Sequence, residues 1–456
     1  MPITLPILNS LNNSTMLRIQ LRNIRKAARA AALGLRRILP LSALLVFCGA
    51  ASTRSFAATP PHWVGSWMAA PCAPAYAEPR SEQFQLEGDT IRQIVHLSAG
   101  GLGVRLRFSN TFGTTPLLIR SAHVAERSTG STIDASTDKP ATFAGATEVT
   151  IAPGKSVFSD PVNLTVAASV DLAVSFYIPE KVVAPAIHYA AQQTSYVARG
   201  DQADASSFGK GSHTTTLWMI LTGVDVATRT APESIVAIGS STTDGAHSTP
   251  NANRRWTDDF YLRLHNARGD DAPAVLNAGI GGNKVLSESH GDWGLVFGQS
   301  AVARFGRDVL AQTGVKTVVI FEGGNDIRQF GSDVVSAQQL IAGFQLMARM
   351  AHERGLRVIA ATITPSEGTN KNEPEDGSWE RTRLAVNHWV QTTKDVDGTI
   401  DFATAIGDPN HPARILAKFD SGDHLHPNDA GYQAMADSID LSLFSEPVSG
   451  GPAGAQ

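Results

Sequence analysis

The stretch from Ile235 to Gly245, reading Ile-Val-Ala-Ile-Gly-Ser-Ser-Thr-Thr-Asp-Gly, constrains this chain more than any other. A short apolar run bounded by glycine predicts a buried strand, and Gly239-Ser240-Ser241 halts it abruptly with hydroxyls at its carboxyl end. Open α/β sheets bind their ligands outside the carboxyl ends of the strands. Ser241 is thus set where such a sheet does its chemistry, although a lone serine after a strand is more often an ordinary turn residue.

The segment around this stretch alternates strand and helix. Residues 234–238, 274–276, 317–321, 357–362 and 399–402 read as five strands separated by lengths sufficient for helical crossovers. Leu340, Phe344, Met347 and Ala351 fall at helical spacing behind a Ser336 cap, with Gly355 ending that helix. Five parallel strands covered on both faces predict a three-layer α/β domain of flavodoxin-like type over residues 232–445. The Gly-, Pro- and Ser-rich residues 446–456 read as a disordered tail.

Residues 60–227 follow a different pattern. In Val104-Arg105-Leu106-Arg107-Phe108, and again from Leu172 to Ile178, the larger apolar side chains fall on alternate positions, which gives one face of a strand to a core. Such runs recur between Gly, Pro, Ser and Asn clusters, and the reading is an all-β, jelly-roll-like sandwich joined to the α/β segment by a linker at residues 228–233.

Residues 1–57 are expected to be a signal peptide. They hold eight basic and no acidic side chains, residues 38–51 form an apolar run too short to span a bilayer comfortably, and Ser55-Phe56-Ala57 offers a small-x-small cleavage site. Arg36-Arg37 is read as a simple basic region in preference to a twin-arginine signal. Without those eight basic residues, 30 remain against 42 acidic ones, a net charge of −12. That charge disfavours nucleic acid and anionic membrane as partners. Cys72 is then the one remaining cysteine, which excludes an intrachain disulfide, a zinc–thiolate site and an iron–sulfur site. A secreted or periplasmic protein with no membrane span after cleavage is expected, and its oligomeric state is not legible.

Three further blocks follow Ser241 in an order that one chemistry can use: Asn277-Ala278-Gly279-Ile280-Gly281-Gly282-Asn283, then Gly323-Gly324-Asn325-Asp326, then Asp423-His424-Leu425-His426-Pro427. A serine hydroxyl is a weak nucleophile that needs an adjacent base, and His426 suits that work near neutrality. Asp423, three residues earlier, can orient the imidazole, while Pro427 is placed to start the last helix. The backbone N–H groups of Ser241 and Gly282 and the Asn325 amide can meet an oxyanion. Gly281-Gly282 allows close backbone approach.

In these blocks the chain resembles the SGNH (GDSL-type) hydrolases, with the family's serine at Ser241, its glycine at Gly282, its asparagine at Asn325, and its histidine and aspartate at His426 and Asp423. One departure is visible: the usual Gly-Asp-Ser of the first block is Gly-Ser-Ser here, with Ser240 in the middle. The stretch from Arg105 to Gly113 is also similar to the β-domain preceding the catalytic domain in some two-domain members. The resemblance implies a serine ester hydrolase without cofactor or metal, acting on a small-molecule or carbohydrate ester, commonly one with a short acyl group such as acetyl.

Other readings compete. Asp420, Asp423, His424 and His426 could ligate a metal, but that leaves Ser241, Gly282 and Asn325 unused. His247 reads as a surface-loop histidine, and Asp244 and Asp326 as residues that cap helices or tie loops. Gly-x-Ser-x-Gly, a P-loop and His-Glu-x-x-His are all absent from the sequence. A lipase or lysophospholipase, an acyltransferase, and a carbohydrate-binding protein with an inactive hydrolase domain are the alternative functions.

Overall fold

The computed structural model describes residues 60–74, 84–288, 295–328, 335–369 and 374–445. The expected signal peptide and the expected C-terminal tail lie outside the described residues.

Five parallel strands form the sheet that carries Ser241: Ser234–Gly239, Ala274–Gly279, Val315–Phe321, Arg357–Ala361 and Gly398–Ile400. Numbered along the chain, their order across the sheet is 2-1-3-4-5. The first strand is buried at every position, and the second to fourth over most of their length, which is why they are rich in apolar residues; the short fifth strand buries only Ile400. Val236, Ile238, Val318 and Ile320 point into one core with Phe344, Met347 and Val386, from helices Ala337–His352 and Ser378–Thr392. Ile235, Ala237, Val319 and Phe321 point into the other with Trp256, Phe260 and Tyr432, from helices Trp256–Arg268 and Asp429–Ser438. The first strand has the second on one side and the third on the other, so the chain leaves it in opposite directions and a crevice opens at its carboxyl end.

Ser336 caps the helix Ala337–His352 through a capping box with Gln339. That helix stops before Gly355, whose φ of +69° lets the Leu356 N–H turn back to the Ala351 carbonyl. The last helix starts later than Pro427 suggests. Asn428 is its cap, accepting the Gly431 N–H at 3.0 Å, because an amide oxygen satisfies a first-turn donor and a proline ring does not.

Upstream, the elements among the described residues from His62 to Thr228 are strands. Four antiparallel strands (His62–Met68, Leu221–Thr228, Val104–Ser109 and Ser156–Phe158) form one sheet, and eight form another, with Asp89–His96, Asp171–Ile178 and Leu117–Thr129 at its centre. Leu106, Phe108 and Val224 from the first share a core with Ile91, Val174 and Phe176 from the second. Asp171–Ile178 is buried beyond simple alternation: Ala173 packs with Ile94, Ala125 and Ile133 in a second cluster on the outer face.

The described residues form one compact unit. Ser98 Oγ accepts the Val275 N–H at 3.1 Å, and Ser234 Oγ donates to the Gly65 carbonyl at 3.0 Å, so the antiparallel part covers the edge strand Ala274–Gly279. Among the described residues, no helix is long and apolar enough to cross a membrane.

Candidate active site

Ser241 is the first residue of a short helix, Ser241–Asp244, that begins where the first parallel strand ends. A residue in that position has no intrahelical partner for its N–H. His426 arrives from the loop before the last helix, and its Nε2 lies 2.8 Å from Ser241 Oγ. Its Nδ1 lies 2.6 Å from Asp423 Oδ2. An ionised carboxylate can only accept, so Nδ1 carries the proton and the lone pair of Nε2 is left for the serine hydroxyl.

The electrostatics favour that protonation state. Burial lowers the pKa of His426; the hydrogen bond and charge of Asp423 act the other way without overturning the shift, and His247 and Arg328 add to the lowering. Burial alone would raise Asp423, but the N–H groups of His426 and Leu425, at 2.8 and 2.9 Å, and the His426 ring hold it well below the usual carboxylate range. A base must be neutral to accept a proton. The acid limb of kcat/KM is therefore expected to have its midpoint below the ordinary histidine value of about 6.5, with activity holding as pH falls from 8 toward that value and dropping only beneath it. A pH–rate profile with an acid midpoint at 7 or above would contradict this.

The blocks that hold Gly282 and Asn325 meet each other, and the first of them is tied to the helix that Ser241 opens. Residues 280–283 form a turn closed by the Asn283 N–H on the Ile280 carbonyl at 3.1 Å, and Gly282 takes a φ of +76°, as the third position of a type II turn requires. A Cβ at Gly282 would lie 2.7 Å from the Phe297 ring, so both backbone conformation and space demand glycine there. The Gly282 N–H has no hydrogen-bond partner among the described residues. Asn325 Nδ2 donates to the Asn283 carbonyl at 2.8 Å, and its Oδ1 accepts from Arg328 at 3.0 Å. This fixes the orientation of the amide and leaves its second N–H for a ligand.

Asp244 and Asp326 tie the glycine loop at its two ends. Asp244 Oδ2 accepts the Gly281 N–H at 3.0 Å, while Asp326 accepts those of Val285 and Leu286 at 2.8 and 3.2 Å. Burial raises Asp326 to about 6. His247 is exposed, stacks on His426 at 5.2 Å and reaches Asp423 Oδ2 at 3.3 Å. His424 turns instead to Asp420, at 2.6 Å. The set Asp420, Asp423, His424 and His426 therefore does not converge, and the residues whose ligand atoms come together are His247, Asp423 and His426.

Several contributors carry no local signal in the sequence. Glu322, buried, accepts the Gly323 N–H at 3.1 Å and lies close enough to Ser240 to be influenced by its hydroxyl, so a carboxyl neighbours the residue that replaces the usual aspartate. Burial pushes it well above the ordinary range despite Arg304. Arg304, itself fully buried, donates to the carbonyls of Gly239 and Ala278, at 3.0 and 2.7 Å, and to Asn283 Oδ1 at 3.0 Å.

Comparison with known proteins bears on the same residues. Solved structures similar to part of this chain include a putative lipolytic protein of the G-D-S-L family from Desulfitobacterium hafniense, 22% identical, covering 45% of this chain and 96% of that one with a TM-score of 0.34. Another is an acetylxylan esterase from Geobacillus stearothermophilus, 22% identical, covering 48% and 96% with a TM-score of 0.35. A putative acylhydrolase from Bacteroides fragilis is 20% identical, covering 46% and 86% with a TM-score of 0.33. Likenesses of this degree say nothing of substrate. No curated protein matches the chain in sequence. Residues 237–434, which span Ser241, Gly282, Asn325, Asp423 and His426, match the model of the GDSL-like lipase/acylhydrolase family. Residues 237–434 are thus a domain of the GDSL-like (SGNH) lipase/acylhydrolase family, and its activity is that of a carboxylic ester hydrolase.

Proposed function

We propose that the protein is an exported serine esterase that removes short acyl groups, such as acetyl, from carbohydrate or other small polar esters through an acyl-enzyme on Ser241. The observation that carries this reading is the continuous chain from Ser241 Oγ to His426 at 2.8 Å and from His426 to Asp423 at 2.6 Å. His426 takes the hydroxyl proton as Ser241 attacks the acyl carbonyl, and the resulting oxyanion is met by the N–H groups of Ser241 and Gly282 and the Asn325 amide. The imidazolium, held by Asp423, then protonates the leaving alcohol. Water activated by the same histidine releases the acid.

A polar, short-chain substrate is supported by the segments between the blocks. Residues 287–294 read Ser-Glu-Ser-His-Gly-Asp-Trp-Gly and residues 366–378 are rich in charge and glycine, so neither offers the apolar surface that a long chain needs. The partly exposed Phe297 ring beside Gly282 suits stacking against a sugar face. Export rests on the basic-then-apolar leader in residues 1–57. Residues 60–227 are read as a β-sandwich domain and residues 232–445 as the catalytic domain.

Two measurements test the proposal. A fluorophosphonate probe is expected to label Ser241 alone, by mass spectrometry of the modified peptide; labelling at Ser240 overturns the nucleophile assignment. With p-nitrophenyl esters, kcat/KM is expected to fall from acetyl to octanoyl, because the site cannot bury the added methylenes, each of which is worth up to about 0.8 kcal/mol when buried. A profile peaking at octanoyl, with activation at an oil–water interface, would instead make the protein a lipase.

A further inference from the structure

The antiparallel part of the molecule reaches the catalytic crevice through one buried side chain. His188 lies on the short strand Ile187–His188, which pairs with Trp218–Met219. It is only 5% exposed. Its Nδ1 lies 3.0 Å from the Ala70 carbonyl and its Nε2 lies 2.8 Å from Asp244 Oδ1. Both partners are acceptors, so both ring nitrogens must donate, and the ring is an imidazolium buried against a carboxylate. Asp244 is equally enclosed, at 3% exposure, and its other oxygen accepts the Gly281 N–H. Gly281 immediately precedes Gly282, whose N–H has no hydrogen-bond partner among the described residues.

We propose that His188 is a positioning residue for the esterase reaction: through Asp244 it clamps Gly281, and thereby sets where the Gly282 N–H meets the oxyanion. The inference rests on the oxyanion role proposed above for Gly282. It also gives residues 60–227 a part in the chemistry, since Ala70, His188 and Trp218 all come from there.

The geometry supports the clamp at each link. Asp244 closes the helix that Ser241 opens, so the nucleophile and the glycine turn are held by one short element. The Asp244 backbone carbonyl accepts from Arg255 Nε at 2.9 Å, and Arg255 also reaches the Ala191 carbonyl, which fixes the aspartate from its main chain as well. The Trp218 ring lies 5.4 Å from His188, tilted by 34°, with the Arg255 guanidinium 5.5 Å from the same indole, so the imidazole has little freedom to turn. Burial works against a charged His188, but the charge and hydrogen bond of Asp244 outweigh it and raise its pKa. Without the imidazolium, Asp244 would be a buried carboxylate with only the Gly281 N–H on its side chain, free to rotate away from the turn.

A donor placed in advance at the oxyanion lowers the barrier without strengthening ground-state binding, so its misplacement appears in kcat. His188→Ala is expected to lower kcat for p-nitrophenyl acetate about 10- to 100-fold while KM stays within about twofold, and to weaken a trifluoromethyl ketone, which adds to Ser241 and creates an oxyanion, by a similar factor. His188→Gln, whose amide can donate to Asp244, is expected to recover most of the loss. Asp244→Asn, with one acceptor oxygen in place of two, is expected to resemble His188→Ala. Unchanged kcat in His188→Ala, a loss confined to KM, or ketone affinity that does not follow kcat would each overturn the clamp. If His188→Ala loses its cooperative thermal transition, the volume-conserving Asp244→Asn variant, expected to lose kcat in the same way, decides by the same criteria. Fluorophosphonate labelling of the wild type separates the two failures. No label at Ser241 defeats the esterase mechanism itself, whereas full labelling with a kinetically silent His188 defeats only the clamp.

Discussion

Replacing Ser241 by alanine is expected to lower kcat roughly a million-fold, the scale seen when a serine hydrolase loses its nucleophile, while leaving the thermal transition in place. Only a hydroxyl on a half-buried residue is removed, and its side-chain partner among the described residues is His426. His426→Ala is expected to be nearly as damaging. Asp423→Ala should be milder, roughly ten thousand-fold, because the carboxylate orients the base and stabilises its cationic form but does not exchange the proton. Steady-state and single-turnover rates with p-nitrophenyl acetate measure all three. An Asp423→Ala variant slower than His426→Ala would show that the order of dependence is wrong.

The second large effect is expected on stability. Arg304 lies with its side chain wholly buried beneath the crevice, 3.3 Å from the equally buried Asp308. It donates to the carbonyls that end the first two parallel strands and to Asn283 of the glycine loop. Burial alone would raise Asp308, but Arg307 and Arg304 hold it below the usual range. Arg304→Met keeps the volume but leaves three acceptors without their donor and a carboxylate short of one cation. The expected loss is about 3–5 kcal/mol, as for a broken buried pair. Urea unfolding reads this as a lower midpoint at unchanged slope. A loss under about 1 kcal/mol would mean that Arg307, 2.7 Å from Asp308, compensates almost completely.

The parallel sheet was legible because its signals are local. The first strand is a run of apolar residues buried on both faces that ends at Gly239, and Ser336 marks the start of the helix Ala337–His352 by capping it. Antiparallel strands with one buried face are written in alternation, as in Val104–Ser109, whose buried and partly exposed positions alternate over its first four residues. The central strand Asp171–Ile178 departs from that pattern because a second cluster covers its outer face, which no period within the strand encodes.

For the site, the sequence by itself determined the candidate groups and their order: Ser241, Gly282 and Asn325 each in a block after a strand, and Asp423 three residues before His426. The Asp423–His426 contact is short in the chain, so residue spacing alone could suggest it. Only the tertiary structure decided what surrounds them. His188 meets Asp244 across 56 positions, and Arg304 meets the Gly239 carbonyl across 65. His426 itself finds Ser241 across 185. A single buried histidine or arginine has no periodicity and no turn signature. Its partner is chosen by which strands and loops the fold brings together, and its charge state by the burial and hydrogen bonds found there.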